Sequence, residues 1–186
     1  MPIPVRFQQA KPTEALIQEM TELCGEIERE LENGGDASEL LSKWHERAGG
    51  KYEKDDFLRY WKSIGIEEFV LGALNSTPTY CTDLKYGEVV SILNSIMTAE
   101  LAENQTSHYI DWLETQFPNS NISDLIYWPD EWFGDASLFR DEGGAFKPET
   151  EFDAHQILGY AMKMSGRYLD DRPVDIELPF PMPNKT

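Results

Sequence analysis

Cysteine is almost missing from this chain of 186 residues: Cys24 and Cys81 are the only two. Two cysteines without metal-ligand spacing build neither a disulfide framework nor a zinc site. No run of about 18 apolar residues exists, so nothing in the sequence is expected to span a bilayer. The opening stretch, MPIPVRFQQAKPTEALI, has no apolar core of a secretory signal, and the expected location is the cytoplasm. The Walker loop and the GxGxxG, HExxH, CxxC and GxSxG motifs are all absent, which removes the usual signatures of nucleotide, zinc-protease, dithiol and serine-hydrolase chemistry. The sharpest absence is positive charge. Between Lys85 and Arg140 there is no Lys or Arg, while nine Asp and Glu fall there.

The whole chain carries 16 basic and 34 acidic residues, a formal net charge of -18. Residues 1–78 hold 9 basic and 15 acidic residues, and residues 79–186 hold 7 and 19. Such a field repels nucleic acid and anionic membrane, and it accelerates encounter with basic proteins. Solubility alone would also account for an acidic balance. Apolar residues make up 40 % of the chain, with five Trp, eight Tyr and nine Phe, enough for a real core.

The apolar spacing is helical nearly throughout, so the fold class is all-α. Leu16, Met20, Leu23, Ile27 and Leu31 form one stripe over 13–32, started by Pro12-Thr13 and closed by Asn33-Gly34-Gly35. Asp36-Ala-Ser-Glu39 resembles a capping box, with Leu40, Leu41 and Trp44 behind it. Further helices are expected over 52–64 and 67–74. Residues 75–82 read as a connection, which divides a helical region 1–78 from a domain 79–186. Helices follow over 83–99 and 103–117, ended by Pro118 and the turn Asn119-Ser-Asn121. One helical turn is expected in ISDLIYWP, capped by Ser123 or Asp124 and stopped by Pro129. Residues 130–149 read as a loop. Thr150 is expected to cap a last helix, 151–165, ended by Gly166. The proline-rich stretch DRPVDIELPFPMPNKT is expected to lie extended on the surface.

Candidate chemistry is sparse. His45 fits a polar helix face, His108 could meet a partner, and His155 could simply pack, since no second ligand or nucleophile is spaced to join any of them. Asp130, Glu131 and Asp135 miss the alternate-position ligand pattern of an EF-hand. The expectation is therefore a protein without enzymatic activity, cofactor or metal.

What stands out is the adjacent pair Tyr127-Trp128 between SDLI and PDEWFGD. Neighbours on a helical turn diverge by about 100°, so two adjacent rings do not both face one core. Leu125 and Ile126 are the better core candidates. The sequence SDLIYWP, after a helix containing IDWLE and a short turn, resembles the motif of the immunity proteins of nuclease colicins and pyocins. The likeness covers roughly residues 83–166, in which 83–99, 103–117, 123–128 and 151–165 stand where that family has its four helices.

The resemblance implies a four-helix domain with a short third helix. It also implies that the protein binds and neutralises a cognate toxin nuclease. In that family the paired aromatics supply shared affinity and the acidic second helix supplies discrimination. Carried over, the partner-binding residues are Ser123, Asp124, Tyr127 and Trp128 from the motif, and Glu103, Thr106, Ser107, Ile110 and Glu114 from the preceding helix. Three departures are visible. Trp128 stands where a second Tyr is commonest, residues 130–149 exceed the family's loop, and the first 80 residues have no counterpart in its small members. The alternative is an acidic nucleic-acid mimic or regulator that binds another basic protein through charge, without an aromatic anchor.

Overall fold

The computed structural model describes residues 2–183, apart from the side chain of Glu149; the end of the expected extended tail, 184–186, lies outside the described residues. The chain is all-α: ten α-helices and three 3-10 turns, with a single isolated bridge, Arg140 to Phe146, among the described residues. It divides into two compact units. One comprises Gln8–Pro78 with Glu103–His108; the other comprises the described residues of Met1–Phe7, Thr79–Ala102 and Tyr109–Thr186. Residues 2–7 therefore group with the C-terminal part of the chain, and one and a half helical turns group with the N-terminal part.

The N-terminal unit is built on α1, Glu14–Glu32, which packs against α2 (Ser38–His45), α3 (Lys54–Arg59) and α4 (Ile66–Ala73). Thr13 caps α1 by accepting the amide of Leu16. At its other end Gly34 takes φ 71°, and the Gly35 amide returns to Glu30 O at 2.9 Å. That is the left-handed closure a glycine permits without strain. Met20, Cys24 and Ile27 face inward with Trp44, Phe57 and Val70. Trp44 meets Phe57 edge-on with centroids 4.9 Å apart. Burial pushes the Cys24 thiol up to about 12, so it behaves as a small apolar side chain. The expected 52–64 helix is instead α3 followed by a tighter turn, Tyr60–Lys62. Asp36 does not open a capping box; it accepts the amide of Ser38 at 3.0 Å, two residues on, as an Asx turn.

The C-terminal unit contains α5 (Tyr86–Met97), α6 (Glu103–Gln116) from Tyr109 onward, α7 (Ile122–Tyr127), α8 (Pro129–Phe133), α9 (Ala136–Phe139) and α10 (Ala154–Ser165). α10 packs on α5 and α7, and α8 joins α7 to α9. Val89, Leu93, Leu113, Phe117, Ile122, Leu125, Phe139, Leu158 and Tyr160 form its core. Gln116 is fully buried and knots the unit: its Oε1 accepts the amide of Cys81 at 2.8 Å, and its Nε2 donates to Thr79 O at 2.8 Å. Phe7 lies against Trp112, centroids 4.8 Å apart, and its carbonyl accepts from Tyr109 Oη at 3.0 Å. These contacts explain why the first residues belong here.

Three local expectations are corrected. Residues 130–149 are not a plain loop, because they carry α8, α9 and a 3-10 turn, Pro148–Thr150. α10 starts at Ala154, and its cap is Asp153, which accepts the amide of Gln156 at 2.8 Å while Gln156 Oε1 accepts the Asp153 amide at 3.0 Å. Thr150 Oγ1 instead donates to Lys147 O within the preceding turn. Nor does the proline-rich segment merely lie on the surface: Ile176, Leu178, Phe180 and Met182 pack against the core.

Candidate functional site

The Tyr127-Trp128 pair sits on an elbow where two short helices meet. α7 ends when the Trp128 amide donates to Asp124 O at 2.7 Å, and the Trp128 carbonyl then accepts the amides of Glu131 and Trp132, opening α8. Pro129 occupies the first position of α8, where an amide hydrogen would have no helical partner in any case. Trp128 itself leaves helical geometry, at φ -137° and ψ 56°. The proline and the change of direction turn adjacent side chains outward. Tyr127 is 43 % exposed and Trp128 49 %.

The elbow is mounted rigidly. Ile122 and Leu125 are buried, and Ile126 packs partly against the same core. Trp132 is buried, with its indole N–H donating to Ser120 O at 2.7 Å across the turn that precedes α7. Asp130, one residue beyond the proline, is buried and bound by Arg140 Nε at 2.5 Å. That guanidinium holds the Asp130 carboxyl below the usual range.

α7 is not capped by Ser123 or Asp124. Its N-cap is Asn121, at φ 47°, after Asn119 at φ 63°; asparagine tolerates this left-handed region better than most residues. The cap oxygen comes from another helix: Glu114 Oε1 accepts the Ser123 amide at 3.1 Å. Burial pushes the Glu114 carboxyl up; its backbone hydrogen bonds from Ser123 and Ile122 oppose this, and the neighbouring Asp124 and Asp111 add to it. Burial likewise raises the Tyr127 phenol.

The nine residues expected to contact a partner fall in two groups. Ile110, Glu114, Ser123, Asp124, Tyr127 and Trp128 belong to the C-terminal unit; Glu103, Thr106 and Ser107 belong to the N-terminal unit. Glu114 and Ser123 are joined directly, so their first role is to build α7. Ile110 is half-buried against the core. Glu103 is exposed and lies beside Glu68, and the contact raises the Glu68 carboxyl. Thr106 is half-buried and Ser107 exposed. His108 is buried, which corrects the expectation that it could meet a partner. His45 receives the amide of Tyr52 at 3.1 Å, and His155 Nδ1 shares a hydrogen bond with Tyr86 Oη at 2.9 Å. Ser120, Trp132 and Arg140 were missed as supports of the site. The signal for Trp132 was its place four residues after Trp128 in an otherwise acidic stretch.

Among the described residues no group of three or more His, Cys, Asp or Glu is arranged to hold a metal ion, and no helix is long and apolar enough to cross a membrane. Fold and site together define an all-α protein presenting a half-exposed aromatic pair on a braced elbow, within a stretch of sequence that holds acids and no bases. Compared with family models, curated proteins and solved structures, the chain matches none.

Proposed function

We propose that this protein is an immunity protein: it binds a cognate toxin nuclease and neutralises it through the Tyr127-Trp128 elbow and the acids around it. The observation that carries this reading is the exposure of both rings on a mount held from two sides. Single rings are exposed elsewhere on the chain, Trp61 and Tyr168 among them; what sets this pair apart is that two adjacent rings are exposed together. Here the buried Trp132, the Asp130–Arg140 pair and the Glu114 cap all serve to hold two rings outward. Rings of this kind, pre-ordered and central, are the typical anchors of tight interfaces.

The charge supports the nuclease as partner. An enzyme that grips phosphates presents Lys and Arg, and the span from Tyr86 to Phe139 answers with acids alone. Complementary charge steers encounter, while the desolvated rings slow dissociation. The motif SDLIYWP, which resembles that of colicin and pyocin immunity proteins, points the same way. Asp124 and the exposed Glu131 flank the rings as the polar rim.

The test is protection of cells. Cells expressing a basic nuclease toxin encoded beside this chain should survive when this protein is co-expressed and die when it carries Tyr127→Ala with Trp128→Ala. Equal survival with both forms would remove the elbow from the function. Binding that vanishes at moderate salt would favour the charge-mimic reading, which needs no aromatic anchor.

A further inference from the structure

We propose that residues 176–182 form a strap that holds α8 in place and so sets the posture of the Trp128 elbow; this rests on reading the elbow as the docking surface. α8 has five residues and α9 four, far below the length at which a helix holds itself in water, about 12–15 residues. Their order must come from packing. Phe133 at the end of α8 is the centre of that packing, with ring centroids 5.2 Å from Phe139, 5.1 Å from Tyr160 and 5.8 Å from both Phe152 and Phe180. Phe180 closes the nest, touching Phe139 at 5.1 Å and Phe152 at 6.1 Å as well.

Phe180 arrives from a segment without regular secondary structure, so something must fix it. Tyr160 does so with one hydroxyl. It donates to Phe180 O at 2.7 Å and accepts the Phe180 amide at 2.9 Å. Along the strap Ile176, Leu178, Phe180 and Met182 alternate inward, the period of an extended chain. Pro179 and Pro181 stand between them and Pro183 follows, fixing φ and lowering the entropy lost when the segment is laid down. α10 provides the seat: a Cβ on Gly159 would come within 2.9 Å of Leu178 Cδ2 and 3.0 Å of Ile176 Cγ2. The line of support thus runs from Tyr160 to Phe180, to Phe133, and to the helix that begins one residue after Trp128.

Such a strap is held by one hydroxyl and four side chains, and it is separable from the rest of the core. The test is residue-resolved hydrogen exchange on full-length Tyr160→Phe and Phe180→Ala, without any partner. Tyr160→Phe keeps the ring and removes only the clasp. In both variants the amides of Trp132, Gly134 and Asp135 should exchange at least roughly ten-fold faster, while those of Val90 to Leu93 in α5 keep their rates. Unchanged exchange at 132–135 overturns the proposal. So does equal acceleration in α5, because the segment would then be one with the core. No partner takes part, so this outcome and the failure of the elbow to bind a nuclease are separate results.

Discussion

Trp128 and Trp132 stand four residues apart and share a backbone hydrogen bond, Trp132 N to Trp128 O at 3.0 Å, yet one ring is half exposed and the other 6 % exposed. On an unbroken helix they would lie on one face. The break at Trp128, with proline behind it, separates them: one ring is delivered to solvent and the other anchors the delivery. The same residue type serves as surface and as foundation within a single turn.

Removing the outer ring should leave the fold alone. Trp128→Ala and Tyr127→Ala are expected to keep the wild-type helix content and melting temperature within a few degrees, while each weakens nuclease binding by about 2–4 kcal/mol, or roughly 30- to 700-fold in Kd. Circular dichroism and calorimetric titration measure the two sides. Loss of helix with the affinity would make the rings part of the core.

Removing the inner hydrogen bond should do the reverse. Trp132→Phe keeps an aromatic ring but leaves the buried Ser120 carbonyl without its indole donor. The expected cost is about 1–3 kcal/mol of stability, seen as a lower denaturation midpoint in urea. An unchanged midpoint would mean that a water or a shifted ring replaces the indole.

The cap of α10 makes a sharper comparison. Asp153→Ala should cost about 1 kcal/mol, since it removes the carboxylate that accepts the Gln156 amide at the helix start, whereas Thr150→Ala should cost clearly less. Equal effects would return the start of the helix to Thr150.

Much of this was legible in the sequence. The stripe from Leu16 to Leu31, the turn Asn119-Ser-Asn121 and the stop at Gly166 are periodic or punctuated signals, and the helices there match to within a few residues. Leu125 packs in the core and Ile126 partly against it, as expected. Divergence of neighbours on a turn excludes only that both rings are buried together, and it is the break at Trp128 that leaves Tyr127 and Trp128 both half exposed. α8 and α9 were not legible, because four or five residues cannot display a helical period. The strap was hidden by its prolines: Ile176, Leu178, Phe180 and Met182 alternate plainly, but Pro179 and Pro181 suggest a bare surface run. The capping box of α10 was present as Asp153-x-x-Gln156, three residues after the equally acceptable Thr150. The cap of α7 could not be read at all. Its oxygen comes from Glu114, on another helix.

The pH dependence follows from Asp130. Arg140 depresses its folded carboxyl below the ordinary value of about 3.9, so the pair contributes stability above that value and loses it as pH falls through the folded one. Thermal midpoints measured downward from pH 5 should therefore decline, and Asp130→Asn should decline less steeply. Glu114 acts oppositely. Burial raises its folded carboxyl, so its contribution is fullest below the unfolded value and is lost as pH rises through the folded one. Glu114→Gln should gain stability at neutral pH relative to the wild-type protein, provided its amide oxygen still accepts the Ser123 amide.

The central claim is that rings, and not charge alone, hold the partner. The direct measurement is the affinity for the basic nuclease domain from about 0.1 M to 1 M salt, over which the screening length falls from about 10 Å to about 3 Å. The wild-type complex should persist across that range, while the Tyr127→Ala, Trp128→Ala double variant binds only at the low end. A wild-type complex that dissolves at the same salt as the variant would contradict the account.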